Sequence, residues 1–284
     1  MSSAGRTRMG LASKIVGAVA KRLPAHGRDR AEEWLLPRRA FERLEVPASS
    51  ALTIICDDGE TRDLDIVDVL EQQGVKGVFA VSPDLIGRPG FLSYEQLRGL
   101  RAAGHEIAFH GTTHDPFTGF AGPAALQRAI DEGVARMVAE DLGTPSTLIY
   151  PFGRHNRWVR AAAAGRFGCA FTTWFGLNER HANRFAIRRV PFGAYVGKLA
   201  GTEAWYRGLI DRAAGGCCWP ALMLHPAADG HTQAHNAMLG RLIEHARQRA
   251  VAVRTVCAHL PSSPAGHAGS PDRPSAATLP GARV

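Results

Sequence analysis

The sequence predicts an α/β fold, a distorted (β/α) barrel with seven or eight mainly parallel strands. Three observations carry that expectation. Short apolar runs alternate with amphipathic, helix-length segments along most of the chain from Ala51 onward, which is the pattern of a mainly parallel sheet. A count of seven or eight such runs fits a closed barrel better than an open sheet. The polar residues suited to chemistry stand directly after the apolar runs, where parallel α/β folds place their sites.

The elements follow in order. "ALTIIC" (51–56) reads as a buried strand. "LDIVDVLEQQG" has helical spacing at Leu64, Val67 and Leu70 and ends at Gly74, a residue suited to a helix stop. "GVFAV" (77–81) is the second strand. "SYEQLRGLRAAG" is a helix with Ser93 as N-cap, Gln96 at the capping-box position and Gly104 as stop. "EIAFH" (106–110) is the third strand, and the segment from Pro123 to Gly143 a long amphipathic helix. "STLIYP" (146–151) is the fourth strand, "RWVRAAAAGRFG" a helix and "CAFTT" (169–173) a strand. "FAIRRVPF", "PALMLH" and "AVAVRTV" (250–256) complete the strands, with helices at 202–214 and 232–249.

Around the expected barrel domain, residues 49–260, lie two other segments. Residues 1–48 form an Arg-rich, helical extension, and 261–284 a tail of Pro, Ser, Ala and Gly with little to bury, expected to be disordered. Within the extension Leu11, Ile15, Val19 and Leu23 share one helical face opposite Lys14 and Lys21. That face fits packing on the domain, or peripheral membrane contact through residues 11–24.

Of 284 residues, 45% are hydrophobic and 21% charged, a globular balance. The net charge is +8, nearly all of it arginine, since the only lysines are Lys14, Lys21, Lys76 and Lys198. An anionic partner would suit that charge. There is no compact basic and aromatic run of a nucleic-acid module, so no nucleic-acid partner is expected. The five cysteines form no CxxC pair and point to a reducing compartment. No run reaches membrane-spanning length, and the basic N-terminus makes a poor signal peptide, so a cytoplasmic setting is expected, with membrane association through 11–24 as its variant. The oligomeric state is left open.

Reading only the strand ends gives a short list. Asp57, Asp58 and Gly59 follow the first strand, His110 and His114 the third, Pro151, Phe152 and Gly153 the fourth, and His225 the strand "ALML". Two adjacent carboxylates suit an N-cap with a solvated neighbour, or one carboxylate on a metal and one free as a base. Asp58, His110 and His114 together make a two-His, one-carboxylate set, and three protein ligands leave room for water and substrate.

These four stretches resemble the motifs of the polysaccharide deacetylases, the NodB-homology carbohydrate esterases. "TIICDDGE" is similar to their first motif, "HGTTH" to their second, "YPFG" to their third and "LMLH" to their last, over about residues 50–256. The resemblance implies a distorted barrel and a divalent metal, zinc first, with cobalt, nickel or manganese as alternatives. It implies Asp57 as catalytic base, Asp58, His110 and His114 as ligands, the Phe152 backbone N–H as an oxyanion donor and His225 as acid. Tyr150 is grouped with Phe152 at the oxyanion and substrate side, and Trp174, Met223 and Leu224 as acyl-pocket candidates.

Departures are informative. Gly111 stands where the family commonly has serine or threonine. Ile149 stands where it often has an arginine steadying the base, and Arg188 or Arg189 is the candidate substitute. Trp174 has no accompanying aspartate, so the residue orienting His225 is unassigned. His105, His155, His181, His231 and His235 read as surface or loop residues. The reading favoured is a metal-dependent N-deacetylase of an N-acetylated amino sugar, in a cytoplasmic small-molecule, oligosaccharide or lipid-linked intermediate. The alternatives are an amidase of the same fold acting on a non-sugar amide, and an inactive carbohydrate-binding barrel.

Overall fold

The computed structural model describes residues 43–45, 50–179, 181–193, 201–216, 218–228 and 230–260. The helix expected at 11–24 and the tail from 261 lie outside the described residues.

Eight strands make one sheet: β1 (Ala51–Cys56), β2 (Val78–Val81), β3 (Glu106–Phe109), β4 (Thr147–Ile149), β5 (Cys169–Phe175), β6 (Ile187–Pro191), β7 (Ala221–Leu224) and β8 (Ala252–Val253). The first seven pair in parallel in that order, and β7 pairs back to β1, which closes the barrel. The closing register sets Met223 beside Ile55 and Leu224 beside Cys56. β8 adds to β1 only at Ala51 and Leu52, below the point where β2 joins at Ile55. The expected strand at 250–256 is thus cut to two residues. Thr255 caps the next turn by accepting the Ala258 N–H, and Val256–His259 is helical.

Helices α1 (Asp63–Gln72), α2 (Tyr94–Ala102), α3 (Pro123–Ala139), α4 (Arg157–Ala164), α5 (Glu203–Ala214) and α6 (Gln233–Gln248) lie outside the strands. Ser93 caps α2 with the full capping box, Gln96 Oε1 accepting the Ser93 N–H at 2.8 Å. Between β5 and β6 the chain runs through a ribbon instead of a helix. There Asn178–Glu179 pairs with Cys218–Trp219, and His181–Asn183 with Arg43–Glu45.

Strand alternation sorts the core into two layers. Ile55, Val78, Ala80, Ala108, Ile149, Phe171, Ile187 and Ala221 fill the barrel interior. Leu52, Ile54, Cys56, Phe79, Phe109, Tyr150, Val190, Phe192, Leu222 and Leu224 pack outward with helix residues such as Ile66, Leu70, Ile130, Val134 and Leu242.

Three histidines expected at the surface are buried: His105, His155 and His231. Each neutral ring offers an apolar body. His105 bridges two elements, Nδ1 accepting the Gly77 N–H at 3.1 Å and Nε2 lying 2.8 Å from Glu71. His259 is buried as well, its ring 4.6 Å from that of Trp219.

His259 gives a pH prediction. Burial, helped by Arg254, pushes its pKa from 6.5 down to about 4. Between those values the unfolded chain binds the proton and the folded chain does not, so stability falls as pH drops through that window. His259→Phe should flatten the dependence of Tm on pH between about 6.5 and 4. An unchanged slope in thermal melts would contradict this burial effect.

Candidate active site

The DDG turn begins the site. The Asp57 N–H donates to the Leu224 carbonyl at 3.0 Å, extending the β1–β7 pairing one residue past the strand. Asp58 and Gly59 then both take left-handed φ, 79° and 71°. A Cβ at Gly59 would come within 2.8 Å of Val81 Cγ1, so glycine is demanded there by conformation and by space. The turn buries Asp57, which stays only 2% exposed, and sends Asp58 toward the end of β3.

His110 directly follows β3. Its N–H donates to Val81 and its carbonyl accepts from Ser82 Oγ. His114 is not one helical turn further on, as an i, i+4 pair on a helix would be. The segment is a loop in which Gly111 has φ 79° and His114 φ 67°. The loop curls the two rings to a centroid distance of 4.8 Å. Gly111 explains its departure from serine or threonine: a Cβ would lie 3.0 Å from Pro151 and 3.1 Å from Phe117.

Asp58 Oδ1 lies 3.3 Å from His110 Nε2 and 3.1 Å from His114 Nε2. One ligand atom from each of the three residues falls within 4.8 Å of the others. The His110 Nδ1 faces the Ile149 carbonyl at 2.8 Å, so Nδ1 carries the hydrogen and Nε2 presents a lone pair. A lone pair facing a carboxylate oxygen at 3.3 Å calls for a cation between them. With no ion between them, a proton on Nε2 takes that place. Burial works against charge on both residues. The two histidines nonetheless hold the Asp58 carboxyl far below its usual range, and the two aspartates raise His110. The donor set fits a divalent ion such as zinc.

Asp57 has a different partner. Arg189 Nη1 lies 2.7 and 2.8 Å from its two oxygens, and Arg189 Nε donates to the Thr172 carbonyl at 2.8 Å. Arg189 is itself 1% exposed. Burial raises the Asp57 carboxyl, but Arg189, with His225 and His110, more than offsets it and holds the pKa below normal. Arg188, the other candidate for this place, points the opposite way. Its backbone is clamped by Asn178, at 2.8 and 2.9 Å, and its side chain is exposed.

His225 follows β7 and presents Nε2 to both carboxylates, 3.6 Å from Asp57 and 3.9 Å from Asp58. Burial lowers its pKa against the pull of the two aspartates, which favours neutral imidazole near pH 7 before any proton arrives.

Phe152 sits in the turn Pro151–Gly153 with φ 57°. Its ring is 56% exposed and lies over His114 at 4.8 Å. Three of the five non-glycine residues with positive φ among the described residues, Asp58, His114 and Phe152, therefore meet at this site. Such backbone is costly and persists where surrounding structure enforces it.

Two of the expected lining residues are misplaced by one strand position. Tyr150 is fully buried on the outer side of β4, its hydroxyl donating to the Phe185 carbonyl at 3.1 Å. Leu224 packs in the same outer layer. Neither side chain lines the site, because alternation turns each away from an inward neighbour, Ile149 or His225. Met223 is buried on the inner side with Ala221. Trp174 is half-buried, its ring edge-on to His155 at 4.8 Å. The unforeseen contributor is Thr173, which backs the Phe152 turn: a Cβ on Gly153 would lie 2.1 Å from its Oγ1 and 2.6 Å from its backbone N.

Gly153→Ala should therefore cost more than about 2 kcal/mol, since φ is 65° there and the clash adds to the left-handed penalty. Denaturant unfolding would show it as a shifted midpoint. A midpoint within error of the wild type would mean that the turn tolerates a side chain.

Comparison with known proteins agrees with this architecture. The polysaccharide deacetylase family model matches residues 46–168. No curated protein matches the chain. Among solved structures, the Bc1960 peptidoglycan N-acetylglucosamine deacetylase aligns with TM-score 0.50 and 15% identity, covering 76% of this chain and 90% of that one. A family 4 carbohydrate esterase from Streptomyces lividans aligns with TM-score 0.48 and 15% identity, covering 72% and 91%. A family 4 acetyl xylan esterase from Clostridium thermocellum aligns with TM-score 0.48 and 14% identity, covering 72% and 87%. Residues 46–168, which hold the DDG, HGTTH and YPFG stretches, thus match the polysaccharide deacetylase family, and the closed seven-stranded parallel barrel agrees with that match.

Proposed function

We propose that this chain is a metal-dependent N-deacetylase that hydrolyses the acetamide of an N-acetylated amino sugar. The observation that carries the reading is the division of labour between adjacent aspartates. Asp58 faces two imidazole nitrogens, whereas Asp57 faces a buried guanidinium. That difference supports Asp58 as the ligand and Asp57 as the proton acceptor.

A divalent ion held by Asp58, His110 and His114 would lower the pKa of a water and polarise the acetamide carbonyl. Asp57 accepts the proton of the attacking water, with Arg189 fixing its carboxylate in place. The Phe152 N–H donates to the developing oxyanion. His225 Nε2, already near both carboxylates, takes up a proton and delivers it to the departing nitrogen, without which an amine leaves poorly. The Phe152 ring, exposed above His114, offers an apolar face to the sugar.

The substrate proposed is a small, soluble or lipid-linked glycoside within the cytoplasm. The basic net charge of +8 tolerates a phosphate-bearing group. Cys56, Cys169 and Cys257 are free thiols, which fits a reducing setting. No helix among the described residues is long and apolar enough to cross a membrane. Acetate release should be seen from small N-acetylglucosaminides. Release from insoluble peptidoglycan or chitin, with none from any small or lipid-linked glycoside, would overturn this assignment.

The assignment of Asp57 has its own test. Asp57→Asn should retain metal affinity within a few-fold while turnover drops by about 10²–10⁴. Equal metal loss in Asp57→Asn and Asp58→Asn would show that the roles are divided wrongly.

A further inference from the structure

The two histidines of the donor set are held in unequal ways. His110 stands at the end of β3, its N–H donating to the Val81 carbonyl at 2.9 Å and its carbonyl accepting from Ser82 Oγ at 2.8 Å. Its ring is fixed as well, Nδ1 donating to the Ile149 carbonyl at 2.8 Å. The His114 ring meets Asp58 and the rings of His110 and Phe152, all of them parts of the site itself. Its place is therefore set by the loop that carries it. That loop has left-handed backbone at Gly111 and at His114, and Gly111 brings no side chain to secure it. Such backbone persists where the surroundings enforce it.

Thr112 ties the loop down from outside the site. Its Oγ1 donates to the Ala129 carbonyl of α3 at 2.5 Å, and its carbonyl accepts the Asp84 N–H at 2.9 Å. A carbonyl in mid-helix already accepts the N–H four residues on, and its second lone pair can take one hydroxyl. The residue four on is Gly133, where α3 leaves space for the threonine. A Cβ on Gly133 would overlap Thr112 Oγ1 and come within 2.8 Å of the Phe109 ring. The two anchors are themselves joined, because Arg136 of α3 pairs with Asp84. Hydroxyl and carbonyl of Thr112 thus enter one closed frame, made of α3 and the loop after β2. Thr113, next in the chain, is exposed, and its hydroxyl donates to Asp115 at 2.7 Å within the loop.

We propose that Thr112 is a positioning residue for His114: its hydroxyl, seated on α3 in the space left by Gly133, fixes the loop that presents the His114 ring to Asp58. The inference rests on the reading of His114 as a metal ligand and adds the element that places it. A helix on the outer side of the barrel then becomes part of the support of the metal site. Partners that hold ligands in place typically contribute about 10–100-fold in metal affinity. Loss of the Thr112 hydroxyl leaves all three donors present but frees the third from its position. Affinity and coordination geometry should then change while the fold persists.

The test uses the full chain, stripped of metal, with zinc and cobalt as probes. Thr112→Val keeps the shape of the side chain and deletes the hydroxyl. Its zinc affinity, measured by competition with a chelator, should fall by about ten-fold or more. The cobalt-loaded variant should show altered visible absorption bands. Thr112→Ser, which keeps the hydroxyl, and Thr113→Val should both stay within about three-fold of the wild-type affinity and keep its cobalt spectrum. Should Thr112→Val fail to fold, Thr112→Ala, which sets no methyl against the Ala129 carbonyl, is read by the same measurements. Wild-type affinity and cobalt spectrum in the variant lacking the hydroxyl would overturn the proposal. A lowered Tm of that metal-free variant beside unchanged zinc affinity would overturn it too, leaving Thr112 a packing residue. So would an equal loss of affinity in Thr112→Ser or Thr113→Val. A wild type that binds no zinc would instead remove the ligand reading, and this inference with it.

Discussion

Arg189→Met should be the most damaging single change at the site. Asp57 would remain buried and lose the guanidinium that neutralises it. Breaking a buried pair from one side typically costs about 3–5 kcal/mol, a drop in Tm on the order of 10 °C for a domain of this size. Burial would then raise the Asp57 pKa, so that less of it is ionised at the working pH, and its carboxylate would lose its anchor, so kcat should fall by about 10² or more. The double variant Arg189→Met, Asp57→Asn should recover most of the lost stability and none of the activity. If Arg189→Met melts and turns over like the wild type, the pairing has no role in holding the base.

His114→Ala should remove most of the divalent metal. It deletes one of three donors that converge within 4.8 Å, and His114 is held in left-handed backbone to bring it there. Affinity should fall by about 10²-fold or more, with little change in Tm of the metal-free protein, since the side chain is only partly buried. Metal analysis after incubation with zinc or cobalt and desalting reads this directly. A wild type without stoichiometric ion, or a variant that retains it fully, would contradict the ligand set.

Much of the fold was legible in the sequence because each strand is a compact apolar run followed by a polar residue. The strand ends therefore named Asp57, Asp58, His110, His114 and His225 before any geometry was known, and the structure brings these five together. What the sequence left open were choices of side. Tyr150 and Leu224 adjoin site residues in the chain, yet strand alternation sends them outward. The same rule separates Arg189 from Arg188. Ile187 faces the interior, so Arg189, two residues on, faces it too. That signal was present in "AIRRVPF" but needed the inward set to be fixed first.

Other features were not readable in principle. The left-handed backbone at Asp58, His114 and Phe152 arises from tertiary contacts rather than local propensity. The buried histidines show the limit of residue-type defaults. His105 is satisfied by Gly77 and Glu71, which lie 28 and 34 positions away in the chain. The shortened last strand reflects a local competition, in which Thr255 caps a helical turn before the apolar residues after it can pair.

The measurement that tests the central claim most directly is product stoichiometry with a small N-acetylglucosaminide, using pure protein stripped of metal and then reloaded. The account predicts one acetate and one free amine per turnover in the zinc- or cobalt-loaded protein. It predicts neither product in the stripped protein, and a rate lower by about 10²–10⁴ from loaded Asp57→Asn despite retained metal. Undiminished acetate release from stripped protein, or from Asp57→Asn, would contradict it.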